Sequence, residues 1–142
     1  MKTQQIYIGN TKLKVKVAKS SEEHALGLQN TPNLNEDEGM LFSYPQTKIL
    51  AFWMKDTTIP LSIAFIDENK RIIQIEDMEP LSKESVKSSK PAMFALEVNK
   101  GWFKNNNVKV GDLIKVQDSN KLVRISVVRQ KNSGKNSRGD RS

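Results

Sequence analysis

The stretch GMLFSYPQTKILAFWMKDTTIPLSIAFID, from Gly39 to Asp67, decides the fold of this chain. It holds most of the aromatic residues and alternates short apolar runs with turn signals at Pro45 and Pro60. Short runs rich in β-branched and aromatic residues, separated by turn residues, are typical of strands. The stretch contains no cysteine, no histidine and no glycine-rich phosphate loop. It therefore predicts a β-rich scaffold and supplies no catalytic set by itself.

The same pattern continues on both sides of this stretch. One short helix is predicted to follow Ser20, because Ser20 and Glu23 have the spacing of a capping box, and to end near Asn30, before Pro32. Many short strands with one early helix favour a mainly β fold, built as an antiparallel β-sandwich or a jelly-roll-like barrel. The predicted strands are Gln4–Ile8, Leu13–Val17, Met40–Phe42, Leu50–Met54, Leu61–Ile66, Arg71–Glu76, Met93–Val98, Leu113–Gln117 and Leu122–Val128.

The length and the charge indicate one domain followed by a tail. The chain has 142 residues, which is enough for a hydrophobic core, and we place the domain at residues 1–129. Residues 130–142 contain no apolar side chain and are predicted to be a disordered basic tail. The net charge is +7, to which the tail contributes four basic residues and one acid. This balance favours attraction to phosphates or acidic surfaces without implying base-specific recognition.

Composition excludes several classes of site and location. The chain has no cysteine and one histidine, His24, so neither a metal site nor a cofactor is expected. No apolar run approaches the length of a membrane span, and the N-terminus lacks the apolar segment of a signal peptide. We therefore expect a protein that is cytoplasmic or assembled in a virion, with no membrane partner.

Trp53 and the polar residues after it form a candidate site for a small ligand. An aromatic platform with a few convergent polar groups is a common way to hold sugars and other small molecules. Glu97 is an acid inside an apolar strand; if it points inward it needs a partner such as Lys55 or Arg71, and otherwise it lies on a solvent face. Alternatively, the strand that carries Trp53 is central and covered on both faces. The candidate ligand-binding residues are Trp53, Lys55, Asp56, Thr57, Thr58 and Glu97.

Hydrolysis by two carboxylates is a less favoured alternative. Asp56 and Glu97 would have to lie about 5–10 Å apart, with one raised pKa. A Ser-His-Asp set would require His24, which lies on a predicted helix. The residues therefore favour a non-enzymatic role, and no catalytic residue is predicted.

Partner binding is predicted at two places. Trp102 and Phe103 lie beside a polar asparagine run, and a tryptophan with a polar rim is a good anchor for a protein partner. The alternative is that both rings form a lid over the open end of the sandwich. The basic tail provides further contacts to a protein or to nucleic acid, through Lys131, Lys135, Arg138 and Arg141.

A set of short motifs follows a fixed order along the chain: Glu23–Leu28, Gly39–Phe42, Phe52–Thr57, Ile59–Ile63, Phe65–Asp67, Glu79-Pro80, Leu96-Glu97, Gly101 and Gly111-Asp112. Taken together, they resemble domain-of-unknown-function family 192. The resemblance covers about residues 12–117 and implies a compact β-sandwich of jelly-roll type, with no established reaction. Three positions depart from the usual family residues: His24 replaces Arg, Asp56 replaces Asn, and Ser62 replaces Asp.

Three functions remain open at this point. The first is a non-enzymatic binding or assembly module, such as a structural component of a virion or another large complex. The second is a small-ligand (carbohydrate-like) binding protein or hydrolase that uses a cleft around Trp53–Thr58. The third is a weakly nucleic-acid-associated basic protein, which would use the tail or the alternating lysines Lys12, Lys14 and Lys16.

Overall fold

A computed structural model describes residues 1–116, and within them the protein is mainly β, as predicted. The predicted strand at 122–128, the domain boundary at 129 and the tail lie outside the described residues. The elements, in chain order, are β1 (Lys2–Ile8), β2 (Thr11–Ala18), α1 (Ser21–Leu26), β3 (Glu38–Lys48), β4 (Ala51–Phe52), β5 (Leu61–Ile66), β6 (Ile72–Met78), β7 (Val86–Lys87), β8 (Ala92–Asn99), α2 (Trp102–Asn105) and β9 (Ile114–Val116).

Seven strands form one curled, half-barrel sheet in the order β6-β5-β8-β3-β2-β1-β9, and β4 pairs separately with β7. Every pair is antiparallel except β2 with β3, which is parallel. This pair departs from the predicted antiparallel arrangement because α1 and the loop after it form a crossover between the two strands. The finer prediction of a sandwich or jelly roll stays a prediction.

The predicted capping box starts α1. The Ser20 side chain accepts a hydrogen bond from the Glu23 backbone N–H at 3.0 Å, and the Glu23 carboxylate accepts from the Ser20 N–H at 3.1 Å. The helix ends at Leu26, earlier than the predicted Asn30, because Gly27 adopts a φ of 51° that breaks the helical backbone. This early end leaves Gly27 and the residues after it free to line a pocket beside the sheet.

Apolar cores cover both faces of the central strands. Successive side chains of a strand point to opposite faces, so Leu41 and Leu96 enter one core while Phe42 and Ala95 enter the other. All six residues of β5 are buried, as expected for a strand covered on both sides. Any side chain at the middle of β3, β5 or β8 is therefore held inside the protein.

Trp102 and Phe103 belong to the core on the Leu41 face and do not form an exposed anchor. Each is 2% exposed, and their rings meet edge to face with centroids 5.6 Å apart. The Trp102 Nε1–H donates to Asp37 Oδ1 at 3.1 Å, which satisfies the indole donor. The structure corrects the prediction that these two rings are exposed to a partner, because the short helix α2 turns both of them inward.

Gly39 allows β3 to approach β8 closely. A Cβ atom at this position would lie 2.5 Å from the carbonyl oxygen of Glu97 and 3.0 Å from Cγ1 of Val98. Backbone atoms of a central strand cannot move away cheaply, so only glycine fits here.

We predict that Gly39→Ala lowers the free energy of unfolding by about 2–3 kcal/mol, as expected for an overpacked core. Gly9→Asn is the matched control, because Gly9 has open space around it and its φ of 62° is one that asparagine adopts readily. Urea unfolding followed by tryptophan fluorescence measures both changes. An alanine variant as stable as the wild type would contradict the close approach.

Candidate functional site

A pocket of about 370 Å³ lies on the Phe42 face of the sheet and contains the candidate site; we call it the Glu97 pocket. Its walls come from α1 and the residues after it, from β3, and from β4 with its following turn. Glu97 of β8 contributes from the sheet itself. Four segments that are distant in sequence therefore meet around one opening.

Glu97 is placed in the pocket by strand alternation. It lies on the central strand β8, directly opposite Met40 of β3 and Ile63 of β5. The residue is 4% exposed, and within residues 1–116 it makes neither a side-chain hydrogen bond nor an ion pair. Neither predicted partner reaches it, because Lys55 lies over the Trp53 ring and Arg71 donates to the carbonyl of Gly111. Its carboxyl group is buried without an internal counter-charge.

The buried position changes the protonation of Glu97. Loss of solvation raises the pKa of this carboxyl group to about 8, so it is mainly protonated at neutral pH. Burial, and after it the nearby Glu97 charge, raises the pKa of Tyr44 to about 12. The charge of each group therefore affects the pKa of the other. At neutral pH both groups carry a proton and can donate a hydrogen bond to a ligand.

His24 is fixed against the wall of the pocket. Its Nε2 lies 3.0 Å from the Ala18 carbonyl oxygen and 2.9 Å from the Ser43 carbonyl oxygen. Because both neighbours are acceptors, Nε2 carries the proton, which leaves Nδ1 as the acceptor of the neutral ring. The imidazole also stacks on Tyr44, with ring centroids 4.1 Å apart.

Three further aromatic rings contribute to the wall. Phe42 and Phe52 meet edge to face, with centroids 4.8 Å apart, and Trp53 is 47% exposed at the pocket mouth. Two lysine ammonium groups already contact these rings: Lys48 Nζ lies 5.1 Å from the Tyr44 centroid and Lys55 Nζ lies 5.5 Å from the Trp53 centroid. These distances are within the range of cation–π attraction.

The structure brings together three of the six predicted ligand-binding residues. Trp53, Thr57 and Glu97 line the pocket, whereas Lys55, Asp56 and Thr58 are exposed and lie outside its lining. A tight turn separates the two groups: the Thr57 N–H donates to the Met54 carbonyl at 3.1 Å, and Asp56 has a φ of 57°. The turn directs the chain back so that Thr57 is buried.

The two carboxylates considered for hydrolysis do not share the pocket. Glu97 lines it, but Asp56 is exposed and outside the lining. Asp56 has a backbone role: its carbonyl oxygen accepts from the Asn30 N–H at 2.9 Å. Its left-handed conformation also favours the asparagine that is usual in the family. Residues 1–116 contain no group of three or more His, Asp or Glu side chains placed to hold a metal ion.

The lysine row on β2 is exposed as predicted from its alternation, but acids interrupt it. Lys12, Lys14 and Lys16 point outward, and Lys14 pairs in register with Glu38 of the parallel strand β3. Asp37 lies beside the same row, because its carbonyl accepts from the Lys14 N–H. The predicted tail contacts, Lys131, Lys135, Arg138 and Arg141, lie outside the described residues.

A second groove of about 330 Å³ lies beyond the Leu26–Gln29 segment, which also lines the Glu97 pocket. Lys14 and Lys16 border this groove. None of the buried polar residues in the described part of the chain lines it. The buried carboxyl group of Glu97 therefore distinguishes the Glu97 pocket from this second groove.

Sequence reasoning missed several pocket residues, chiefly His24, Phe42, Tyr44 and Lys48. The available signal was alternation on β3, since Met40, Phe42 and Tyr44 share the face of Glu97 once Met40 is paired with it. The pairing of β3 with β8 joins segments more than fifty residues apart, and a single sequence does not specify it.

No helix in residues 1–116 has the length and apolar character to cross a membrane.

Comparison with known proteins gives a family and two similar solved structures. Residues 4–116 match the model of the family DUF192, described as an uncharacterized group. A protein proposed to be a transcription regulator, from Sinorhizobium meliloti 1021, has 29% identity and a TM-score of 0.75, covering 80% of this chain and 92% of its own. A protein of unknown function from Novosphingobium aromaticivorans DSM 12444 has 27% identity and a TM-score of 0.73, covering 80% and 83%. Comparison with curated proteins found no match.

We predict that Glu97→Gln removes a pH dependence of stability. The native carboxyl keeps its proton up to about pH 8, whereas the unfolded one loses it near 4.5, so the stability of the wild type falls between these pKa values as pH rises. The difference in unfolding free energy between wild type and variant should change by about 1.4 kcal/mol per pH unit in this window. Urea unfolding across the window measures it, with the exposed Glu84→Gln as control. Parallel profiles for wild type and Glu97→Gln would contradict the buried, unpaired state.

We also predict that Asp56 acts through its backbone. Asp56→Asn should keep the free energy of unfolding within about 0.5 kcal/mol of the wild type, because asparagine adopts positive φ readily. Asp56→Val should lower it by about 1–2 kcal/mol, because a β-branched residue is strained in this conformation. Thermal unfolding compares the two, and equal losses in both variants would show that the carboxylate itself matters.

Proposed function

Because this chain belongs to the uncharacterised domain-of-unknown-function family 192, we infer its function from the geometry of the site and propose that it binds a small molecule in the Glu97 pocket. The observation that carries the proposal is the carboxyl group of Glu97, 4% exposed and without a hydrogen-bond or ion-pair partner in residues 1–116. Burying an unpaired polar group is costly, and a ligand that pairs with it recovers that cost.

The family motifs support this location. Each of the four segments Glu23–Leu28, Gly39–Phe42, Phe52–Thr57 and Leu96-Glu97 contributes to the lining of the pocket. Motifs that only stabilise the fold could pack in either core of the sheet and would not need to converge on a solvent-open cavity. The volume of about 370 Å³ falls within the range of small-molecule sites.

The proposed role is binding without catalysis. Glu97 has no second carboxylate in the pocket lining, so the two-acid hydrolysis considered from the sequence lacks its partner. Ser21, Thr57 and the phenol of Tyr44 carry the hydroxyl groups of the lining, and the Thr57 hydroxyl donates to the Lys55 carbonyl at 3.2 Å. An inert pocket of this kind suits a sensor or carrier of its ligand.

The other two functions receive less support. The burial of Trp102 and Phe103 removes one of the two predicted partner contacts of the assembly hypothesis, and the other, the basic tail, lies outside the described residues. The proposed regulator from Sinorhizobium meliloti raises the possibility of nucleic-acid binding, but the helices within residues 1–116 have six and four residues. A recognition helix that enters the major groove is longer than either, and the acids beside Lys14 weaken the remaining basic surface. If this chain takes part in regulation, ligand sensing is the role that its pocket fits.

We predict that Ala25→Trp blocks binding, because Ala25 is an exposed residue of α1 in the pocket lining and an indole there covers the mouth. Glu22→Trp is the matched control, since Glu22 is exposed on the same helix and outside the lining. Ligand-observed NMR with a mixed set of sugars, amines and carboxylates measures binding. Wild type and Glu22→Trp should share ligands that Ala25→Trp loses. Ligands that still bind to Ala25→Trp, or the absence of binding by every compound in the set, would contradict the proposal.

A further inference from the structure

We propose that the Glu97 pocket is specific for an organic ammonium group, which pairs with the Glu97 carboxylate inside a wall of aromatic rings. This inference rests on the proposed function and names its ligand class. It starts from the missing charge partner: both lysines nearest the pocket keep their ammonium groups over the rings of Tyr44 and Trp53, and neither forms an ion pair with Glu97. Within residues 1–116 no cation pairs with Glu97, so the position beside its carboxyl group is available to a ligand's cation.

The aromatic part of the wall suits a cation. The rings of Phe42, Phe52 and Trp53 line the pocket beside the Tyr44–His24 stack. The face of an aromatic ring attracts cations, and aromatic walls closed by a carboxylate recognise ammonium groups. Polar side chains, among them Ser21 and Gln29, share the lining, so the test must also separate a cation from a sugar.

The groups that face Glu97 set the pH dependence of binding. They are His24 from α1 and Tyr44 and Lys48 from β3, whereas the neighbour on β5 is the uncharged Ile63. An ammonium group pairs with the ionised carboxylate, so binding at neutral pH releases the Glu97 proton to solvent. Affinity should therefore rise close to tenfold per pH unit below about pH 8 and level off above it.

A neutral polyol gives the opposite pH profile. It would accept a hydrogen bond from the protonated Glu97, so its affinity would be flat below about pH 8 and would fall above it. An anionic ligand would bind best in acid and would use Lys48. The sign of the pH dependence thus separates the three classes.

The test titrates the 142-residue chain with n-butylammonium, glucose and butyrate at several pH values, following the NMR signals of Trp53 and Gly27. We expect n-butylammonium to bind, with affinity rising close to tenfold per pH unit up to about pH 8. Glu97→Gln should lower that affinity at least tenfold at the upper end and abolish the pH dependence, while the surface variant Glu84→Gln changes neither. Loss of folding is not expected to obscure the result, because glutamine has nearly the shape of the protonated Glu97 side chain and stays uncharged at every pH of the titration.

The remaining outcomes overturn the inference in distinguishable ways. Binding of glucose or butyrate that Ala25→Trp abolishes, without binding of n-butylammonium, would refute the ligand class and leave the pocket as a binding site. Binding of n-butylammonium that is unchanged in Glu97→Gln would refute the pairing. Absence of binding by all three probes and by the broader set would refute the proposed function together with the inference.

Discussion

The pairing of β8 between β3 and β5 is the constraint on which both the fold and the pocket depend. Because β8 is hydrogen-bonded on both sides, its side chains have only two directions, and each leads into an apolar core. Gly39 brings β3 against the Glu97 carbonyl oxygen, which leaves no space for a shift between the strands. A slip by one residue would exchange the two faces and put Leu96 in place of Glu97. The register therefore keeps an acid in an apolar position where packing alone would favour a hydrophobic residue.

The protein tolerates this acid by keeping it neutral. An ionised carboxylate in such surroundings would cost several kcal/mol, whereas a protonated carboxyl costs about as much as another buried polar group. Protonation avoids the cost of desolvating the charge, but within residues 1–116 it leaves one donor and its acceptor atoms without a protein partner. Glu97 therefore needs a hydrogen-bond partner and lies in a solvent-open pocket that can admit one, which is how a binding site differs from a packed core.

The sequence alone was sufficient for the fold class and for part of the site. A short apolar run between turn signals identified the strand Leu61–Ile66 at its observed bounds, and the Ser20–Glu23 spacing identified the start of α1, because both signals are local. The parallel pairing of β2 with β3 and the convergence on Glu97 depend on contacts between distant segments, which no local pattern encodes. Trp102 and Phe103 show the same limit: beside an asparagine run they resembled an exposed pair, but α2 turns them into the core. Trp53 and Thr57 were predicted as an aromatic platform and a polar neighbour on one short segment, and both line the pocket because that segment turns back after β4.

The three departures from the usual family residues have unequal consequences. Asp56 occupies a left-handed turn outside the pocket, where its carbonyl oxygen holds Asn30. Ser62 lies at the start of β5, where its hydroxyl donates to Asp77 at 2.8 Å and accepts from the Gly101 N–H at 3.1 Å, so it orders the entry to α2. His24 is the one departure in the pocket lining. An arginine at that position would bring a longer side chain with a permanent charge to the wall, whereas the imidazole Nε2 is held between two backbone carbonyl oxygens. The chemistry of this pocket is thus set by the pair His24 and Glu97, and the other two substitutions leave it unchanged.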